Sequence, residues 1–268
     1  MAPACTRPQR ALTIRSSRPH VVASAVSFTL RLHTAAAPPQ GGLTQALALM
    51  TSNLVDLVKN IESQRDRHIA LGKAMLEADG CKMFSLDFLA VAALNRSLSN
   101  SSAFVQLVRA QNYLVSASLV RLQLDTFLRF FASYLVSNPH EFAASVLKGT
   151  AVRKLKDRSG SLMTDRFLVN SVAGEFPWAP NVYESTSGFI HLSDKHIFSA
   201  IHSVQGDGTL SMHIGSDPAR FTDNLWCEMA EGFIAATDAL FRYLEGWKFT
   251  KANPQLLQHA NQEARPEC

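Results

Sequence analysis

Residues 183–198, with the sequence YESTSGFIHLSDKHIF, contain more chemically reactive side-chain types than any other stretch of this chain. If the segment is helical, Tyr183, Ser187 and His191 follow one another at intervals of four along one side. Asp194 comes three residues later on the same side. A serine, a histidine and an aspartate suggest a nucleophilic triad, which we reject. Neighbouring side chains of one helix run side by side, and the strained GxSxG turn that exposes a nucleophilic serine is absent.

The histidines of this segment are poorly spaced for a shared metal ion. His191 and His196 are five residues apart, about 140° around a helix, whereas zinc-binding histidines on one helix are four apart. A metal held by His191 and Asp194 would need a further ligand from another element. The four cysteines form no CxxC pair. We therefore expect no metal and no cofactor, and a structural role for Ser187 and His191 at a helix N-terminus remains the simplest alternative.

A second candidate lies on a central helix that the apolar pattern predicts over residues 102–137. Arg121, Asp125 and Arg129 follow one another at intervals of four and span only about 80° of its circumference. They form either a solvated ion-pair ladder, worth a few tenths of a kcal/mol per pair, or a partly buried cluster that lines a groove. Charges on a mostly buried helix need partners, so we expect His191 to join Arg121 and Asp125 in one polar cluster.

The elements that would position these residues are helices joined by short connections. Apolar residues recur at intervals of three and four through most of the chain after Met50, and a Gly-rich stretch with alternating apolar residues predicts one hairpin. These features predict an all-α fold, a helical bundle with at most one short β-hairpin. The predicted helices cover 53–80, 85–98, 102–137, 140–149, both ends of 150–172, 182–200 and 219–247, with a turn at 99–102, the hairpin within 205–217, and Asp217-Pro218 as the start of the last helix.

The charge distribution divides the chain. Residues 1–49 contain five arginines and no acidic residue, which leaves 21 basic against 22 acidic residues from Met50 onward. The pI of about 9.0 therefore comes from the first segment and predicts no basic nucleic-acid surface on the body. We expect 1–49 to be a disordered basic extension, with a transit peptide or sequence upstream of a true start at Met50 as alternatives. The body would be one domain over 50–250, followed by a flexible tail over 251–268.

Three segments carry a resemblance to a known group of proteins. They read LVRLQLDTFLRF, LKDRSGSLMTDRFL and VYESTSGFIHLSDKHI, in this order, within about residues 100–200. They resemble a group of uncharacterised bacterial all-helical proteins, which are distantly similar to the HEPN-type proteins of abortive-infection and toxin–antitoxin systems. In HEPN ribonucleases an arginine precedes a histidine by four to six residues, and the pair would assist 2′-OH attack and stabilise phosphate charge. Here residues 184–187 read ESTS, so Arg121 or Arg129 could serve only if it packs against His191.

Two functions follow from these patterns and this resemblance. The first is a non-catalytic interaction or oligomerisation module of bacterial defence type, which we favour because the body is near neutral and the motif is incomplete. It implies a homo-oligomer or a protein partner, a cytoplasmic location, and no membrane, since no run of about 18 apolar residues exists. The alternative is a HEPN-like ribonuclease or nucleotide-binding protein acting on RNA or a nucleotide. Its catalytic residues would be His191, Arg121, Arg129 and Asp125, and its substrate-binding residues Tyr183, Ser187, Ser193 and His196.

Overall fold

Eight α-helices make up most of the residues that the structure, a computed structural model, describes. These residues are 52–207, 209–215 and 220–255, together with the backbone of 29–34. The predicted all-α fold is therefore confirmed. The helices are α1 (Ser52–Glu77), α2 (Ser85–Arg109), α3 (Tyr113–Leu135), α4 (Pro139–Leu147), α5 (Asp165–Val172), α6 (Ala179–Ser187), α7 (Asp194–Ala200) and α8 (Asp223–Ala252). Within the described part, no helix is both long and apolar enough to cross a membrane.

The break between α2 and α3 lies at 110–112, and the predicted turn at 99–102 was wrong. The hydroxyl of Ser101 bonds back to the carbonyl of Ser97, so this serine-rich stretch stays helical. The chain turns instead at Gln111, which adopts a left-handed conformation with φ of 55°. Asn112 then caps α3, because its side-chain oxygen accepts a hydrogen bond from the backbone of Val115.

The segment 182–200 is not one helix. α6 ends at Ser187, residues 188–193 form a connection, and Ser193 caps the short helix α7. His191 therefore lies in a loop between two helices. The predicted face that would align Tyr183, Ser187 and Asp194 on one helix does not exist, because the first two belong to α6 and Asp194 begins α7.

The hairpin is confirmed and joins a third strand. Strands β2 (Ile201–Val204) and β3 (Thr209–Ile214) pair in antiparallel orientation, and β1 (Thr29–Thr34) pairs with β3 in parallel, in the order β1-β3-β2. The six residues of β1 come from the predicted disordered extension and instead form part of the sheet. The other residues of 1–49 lie outside the described residues, so their disorder stays a prediction.

The last helix is displaced from its predicted bounds at both ends. Thr222 caps α8 by accepting a hydrogen bond from the backbone of Leu225, so the helix begins at Asp223. The predicted cap Asp217 lies outside the described residues. At the other end the helix continues to Ala252, and Lys251 is buried. Lys251 thus belongs to the bundle and not to the predicted flexible tail.

α3 and α8 form the centre of the bundle. α3 also packs against α2, α5 and α6, while α8 packs against α1. Two apolar clusters result, one around Phe127 and Leu240 and the other around Phe104 and Phe233, whose rings stack at 4.4 Å. α3 presents its remaining polar side to α5 and α6, and this side carries the predicted arginines.

A buried polar network crosses the bundle between α1, α2, α3 and α8. His68 Nδ1 donates to the carbonyl of Gln64 at 2.8 Å, so Nε2 of the neutral ring accepts from the Ser97 hydroxyl, also at 2.8 Å. The amide of Gln123 donates to the hydroxyls of Ser97 and Thr237 at 2.7 and 3.0 Å. The Ser97 hydroxyl can donate to His68 Nε2 only while the His68 ring is neutral.

Protonation of His68 at low pH should lower the free energy of unfolding. Burial lowers the pKa of His68 below its ordinary value of 6.5. The unfolded chain therefore binds more protons than the native one below about pH 6.5, and the free energy of unfolding decreases as the pH falls from there. Urea unfolding between about pH 7 and pH 5 should show a shallower decline for His68→Gln than for the unmodified protein. Parallel declines would assign the acid sensitivity to other groups.

Candidate functional site

Five charged side chains meet on the polar side of α3. We call them the arginine–aspartate cluster: Arg96 of α2, Arg121, Asp125 and Arg129 of α3, and Asp165 of α5. Asp125 accepts from Arg129 Nε at 3.0 Å and lies 3.3 Å from Arg96 Nη1. Asp165 accepts from Arg121 Nη2 at 3.1 Å and also pairs with Arg129 Nη2. The three residues predicted from their spacing are thus brought together, and two partners from other helices join them.

The burial of the side chains decides between the two alternatives that the sequence left open. The Arg121 side chain is only 10% exposed, whereas those of Asp125 and Asp165 are 20% and 33% exposed. Arg121 also lies over the ring of Tyr183, with 4.4 Å between the guanidinium carbon and the ring centroid. Arg129 Nη1 is buried and has no hydrogen-bond partner among the described residues. The arrangement is a partly buried cluster and not a solvated ladder.

Sequence reasoning missed Arg96 and, with larger consequences, Asp165. Asp165 lies 44 positions from Arg121 and 36 from Arg129, and it bridges the two. The only local signal is its position directly after Thr164, whose side chain caps α5 by accepting from the backbone of Phe167. An acidic residue in the first turn of a helix is favourable in any case. The sequence therefore explains Asp165 as a helix-start residue without indicating its partners.

A cavity of about 390 Å³ opens beside the cluster. Arg121, Asp125 and Asp165 line one part of it, and Tyr183 and His191 line another. The expected approach of His191 to the arginine side of α3 is therefore seen as a shared cavity. Arg129 is not among the residues that line it. Ser187 and two apolar side chains, Leu122 and Ile190, complete the lining.

The cavity does not bring His191 into a hydrogen bond. His191 is exposed, and no side-chain bond or ion pair joins it to the described residues of the cluster. The Ser187 hydroxyl bonds to the carbonyl of Tyr183 one turn earlier in α6. The Ser187 hydroxyl is thus bonded to backbone, as the structural alternative expected, but Ser187 ends α6 and does not lie at a helix N-terminus.

Two of the predicted substrate-binding residues lie elsewhere. Ser193 caps α7 by accepting from the backbone of Lys195, and the backbone of Ser193 donates to His196 Nδ1 at 3.3 Å. Neither Ser193 nor His196 lines the cavity beside the cluster. Together they form the capping box of a seven-residue helix.

The cluster is better arranged to hold helices together than to carry out acid–base chemistry. Its three arginines face two carboxylates, and the ion pairs connect α2, α3 and α5. A phosphate ligand would compete with Asp165 for both Arg121 and Arg129. Within the described residues, no group of three histidine, cysteine or acidic side chains could hold a metal ion.

Comparison with known proteins gives no relative. No family model matches the sequence, and neither a curated protein nor a solved structure matches it significantly. The resemblance to HEPN-type proteins therefore stays a prediction.

Proposed function

We propose that the protein is a non-catalytic helical interaction module that self-associates as a homodimer. The observation that carries this proposal is a concentration of exposed apolar side chains between residues 190 and 214. Six of the fifteen exposed large apolar side chains in the described chain fall in this 25-residue segment. They are Ile190, Leu192, Ile197, Phe198, Val204 and Ile214.

This exposed apolar segment is better suited to contact another protein than to bind a small ligand. Leu192 is 89% exposed and Phe198 64%, so each would bury most of its area in a contact. α7 packs against β2 and β3, which makes the segment one structural unit. β2 is an edge strand of the described sheet, and an exposed edge beside apolar side chains favours pairing with another chain. A second copy is the commonest partner in such cases, through a two-fold interface.

The arginine–aspartate cluster supports the same conclusion. Both of its carboxylates are paired with arginines within the bundle, and His191 forms no bond to these described residues. A cluster of this kind fixes α5 and α6 against α3, and α6 leads directly into the exposed segment. In this proposal the cluster positions the docking surface and takes part in no reaction. The bacterial defence setting rests on the sequence resemblance alone.

Light scattering coupled to size-exclusion chromatography tests self-association. The full chain of 29.4 kDa should elute with twice that mass, and the double variant Leu192→Ser/Phe198→Ser with the mass of one chain. Phe249→Ser is the matched control, because Phe249 is 59% exposed on α8 and lies outside the segment. This variant should remain dimeric.

Two results would contradict the proposal. One is an unmodified protein that stays a single chain at about 0.1 mM, where a dimer with a micromolar Kd would be nearly fully formed. The other is a dimer that Phe249→Ser dissociates as readily as the double variant, since the interface would then lie elsewhere.

The cavity beside the cluster favours one second candidate, a HEPN-like ribonuclease or nucleotide-binding protein. Arg121, Tyr183 and His191 share that cavity, as such an activity requires. Since His191 is exposed, His191→Ala should fold normally and abolish cleavage of a labelled single-stranded RNA. The absence of cleavage and of RNA binding by the unmodified protein would exclude this candidate.

A further inference from the structure

A separate cavity of about 300 Å³ lies where the break between α2 and α3 meets α7 and the end of β3. Its polar lining comes from four parts of the chain: Asn112, His196, His213 and Arg220, with Gln111 beside Asn112. Tyr113 and Phe221 supply an aromatic side, with rings that stack at 4.0 Å. We call it the basic cavity.

The two histidines of the basic cavity offer unused nitrogen atoms. His213 Nε2 is buried and has no hydrogen-bond partner among the described residues. Leaving such a group without a partner costs free energy, which a ligand that bonds to it would recover. His196 Nδ1 accepts from the backbone of Ser193, so the proton of the neutral ring is on Nε2. Both side chains are half-buried.

The other polar groups are held in place and keep donors free. Arg220 Nη2 donates to the carbonyl of Phe198 at the end of α7, which anchors the side chain and leaves other guanidinium N–H groups. Asn112 uses its side-chain oxygen to cap α3, so its amide N–H₂ group is still a donor. Gln111 holds a left-handed conformation that a non-glycine residue adopts only at a cost.

Charge distinguishes this cavity from its neighbours. Among its described lining residues there is no aspartate or glutamate. The cavity beside the arginine–aspartate cluster contains Asp125 and Asp165. A larger cavity of about 1170 Å³ shares Tyr113, Arg220 and Phe221 with the basic cavity and contains carboxylates, among them Glu228 and Glu231. Among the described lining residues, only those of the basic cavity combine a guanidinium and two imidazoles without a carboxylate.

We infer that the basic cavity binds a small organic anion, with one phosphate or carboxylate group bound by Arg220, His196 and His213. The aromatic pair of Tyr113 and Phe221 suits an apolar or aromatic body, and the volume is at the lower end of small-ligand pockets. This site shares Ile214 with the exposed apolar segment, but its anion ligands Arg220, His196 and His213 are half-buried. They differ from the exposed Leu192 and Phe198 on which the test of the dimer relies.

Isothermal titration of the full chain with simple probes tests the site. Phenyl phosphate and benzoate represent the two head groups, and benzyl alcohol is the uncharged analogue. At least one of the anions should bind with a Kd of about 1 mM or tighter, and benzyl alcohol should bind at least about tenfold more weakly. The stronger anion identifies the head group.

Substitutions in the basic cavity test whether the anion binds there. Arg220→Gln and His213→Gln should each raise the Kd for the anion by about tenfold or more, because each removes a hydrogen bond to a charged group. Arg166→Gln is the control, since Arg166 is 69% exposed and pairs with Glu184 away from the cavity. Circular dichroism shows whether each variant is folded. If one of the two variants is unfolded, the affinity of the other variant tests the site. Binding of neither anion, equal binding of benzyl alcohol, or unchanged affinity in the folded variants would overturn the inference.

Discussion

Asp87→Ala is expected to lower the free energy of unfolding by about 3–5 kcal/mol, the cost of breaking a buried ion pair. Asp87 and Lys251 have fully buried side chains, and Lys251 Nζ lies 2.9 Å from Asp87 Oδ2. Trp247 Nε1 donates to Oδ1 of the same carboxylate at 2.8 Å, and the backbone of Phe84 donates to Oδ2. Alanine would leave an ammonium group, an indole and a backbone N–H without their acceptor.

Urea unfolding followed by circular dichroism measures this loss. Asp56→Ala is the matched control, because Asp56 pairs with Lys59 at 73% and 69% side-chain exposure. It should cost less than about 1 kcal/mol. A loss of similar size in both variants would mean that water reaches the buried pair. The double replacement Asp87→Leu/Lys251→Met should recover much of the loss, since it leaves no unpaired charge.

Asp165→Ala should lower the free energy of unfolding by about 2–3 kcal/mol, less than Asp87→Ala because the cluster is only partly buried. The substitution removes the acceptor shared by Arg121 and Arg129, and Arg121 is 10% exposed. Asp125 alone would then face three arginines. Since Asp165 also fixes α5 to α3, the variant should loosen the connection towards α6.

Glu184→Ala provides the comparison for Asp165→Ala. Glu184 pairs with Arg166 at 65% and 69% side-chain exposure, so its loss should be below about 1 kcal/mol. Chemical denaturation of both variants decides between a structural and a solvated cluster. A loss for Asp165→Ala no larger than that for Glu184→Ala would contradict the partly buried cluster and weaken its proposed role in positioning the docking surface.

The all-α fold could be predicted because helices depend on local spacing. The apolar repeat of α1 is readable within a few residues, and the structure confirms this helix. The turn predicted at 99–102 failed because serine is compatible with both turns and helices. The Ser101 hydroxyl forms its hydrogen bond within α2. The actual break depends on the left-handed conformation of Gln111, which the residue type glutamine does not predict.

The candidate site was predictable only in the part that one helix contains. The four-residue intervals of Arg121, Asp125 and Arg129 place them together on any helix, and they do form ion pairs. The same reasoning was applied to 183–196, where the helix ends at Ser187 and the predicted face is lost. His191 nevertheless reaches the cavity, because the connection after α6 contacts α3, where the Ser118 hydroxyl donates to the carbonyl of Phe189.

By itself, the sequence determined the class of fold, the central place of α3 and the adjacency of its three charges, since these follow from periods of three and four residues. Only the tertiary structure decided which distant groups complete them. Asp165 joins Arg121 across 44 positions, and Lys251, predicted to lie in a flexible tail, pairs with Asp87 across 164. An acidic residue near a helix start is favourable whether or not a distant arginine faces it. The partner of such an acidic residue depends on how the helices pack, which local residue spacing does not predict.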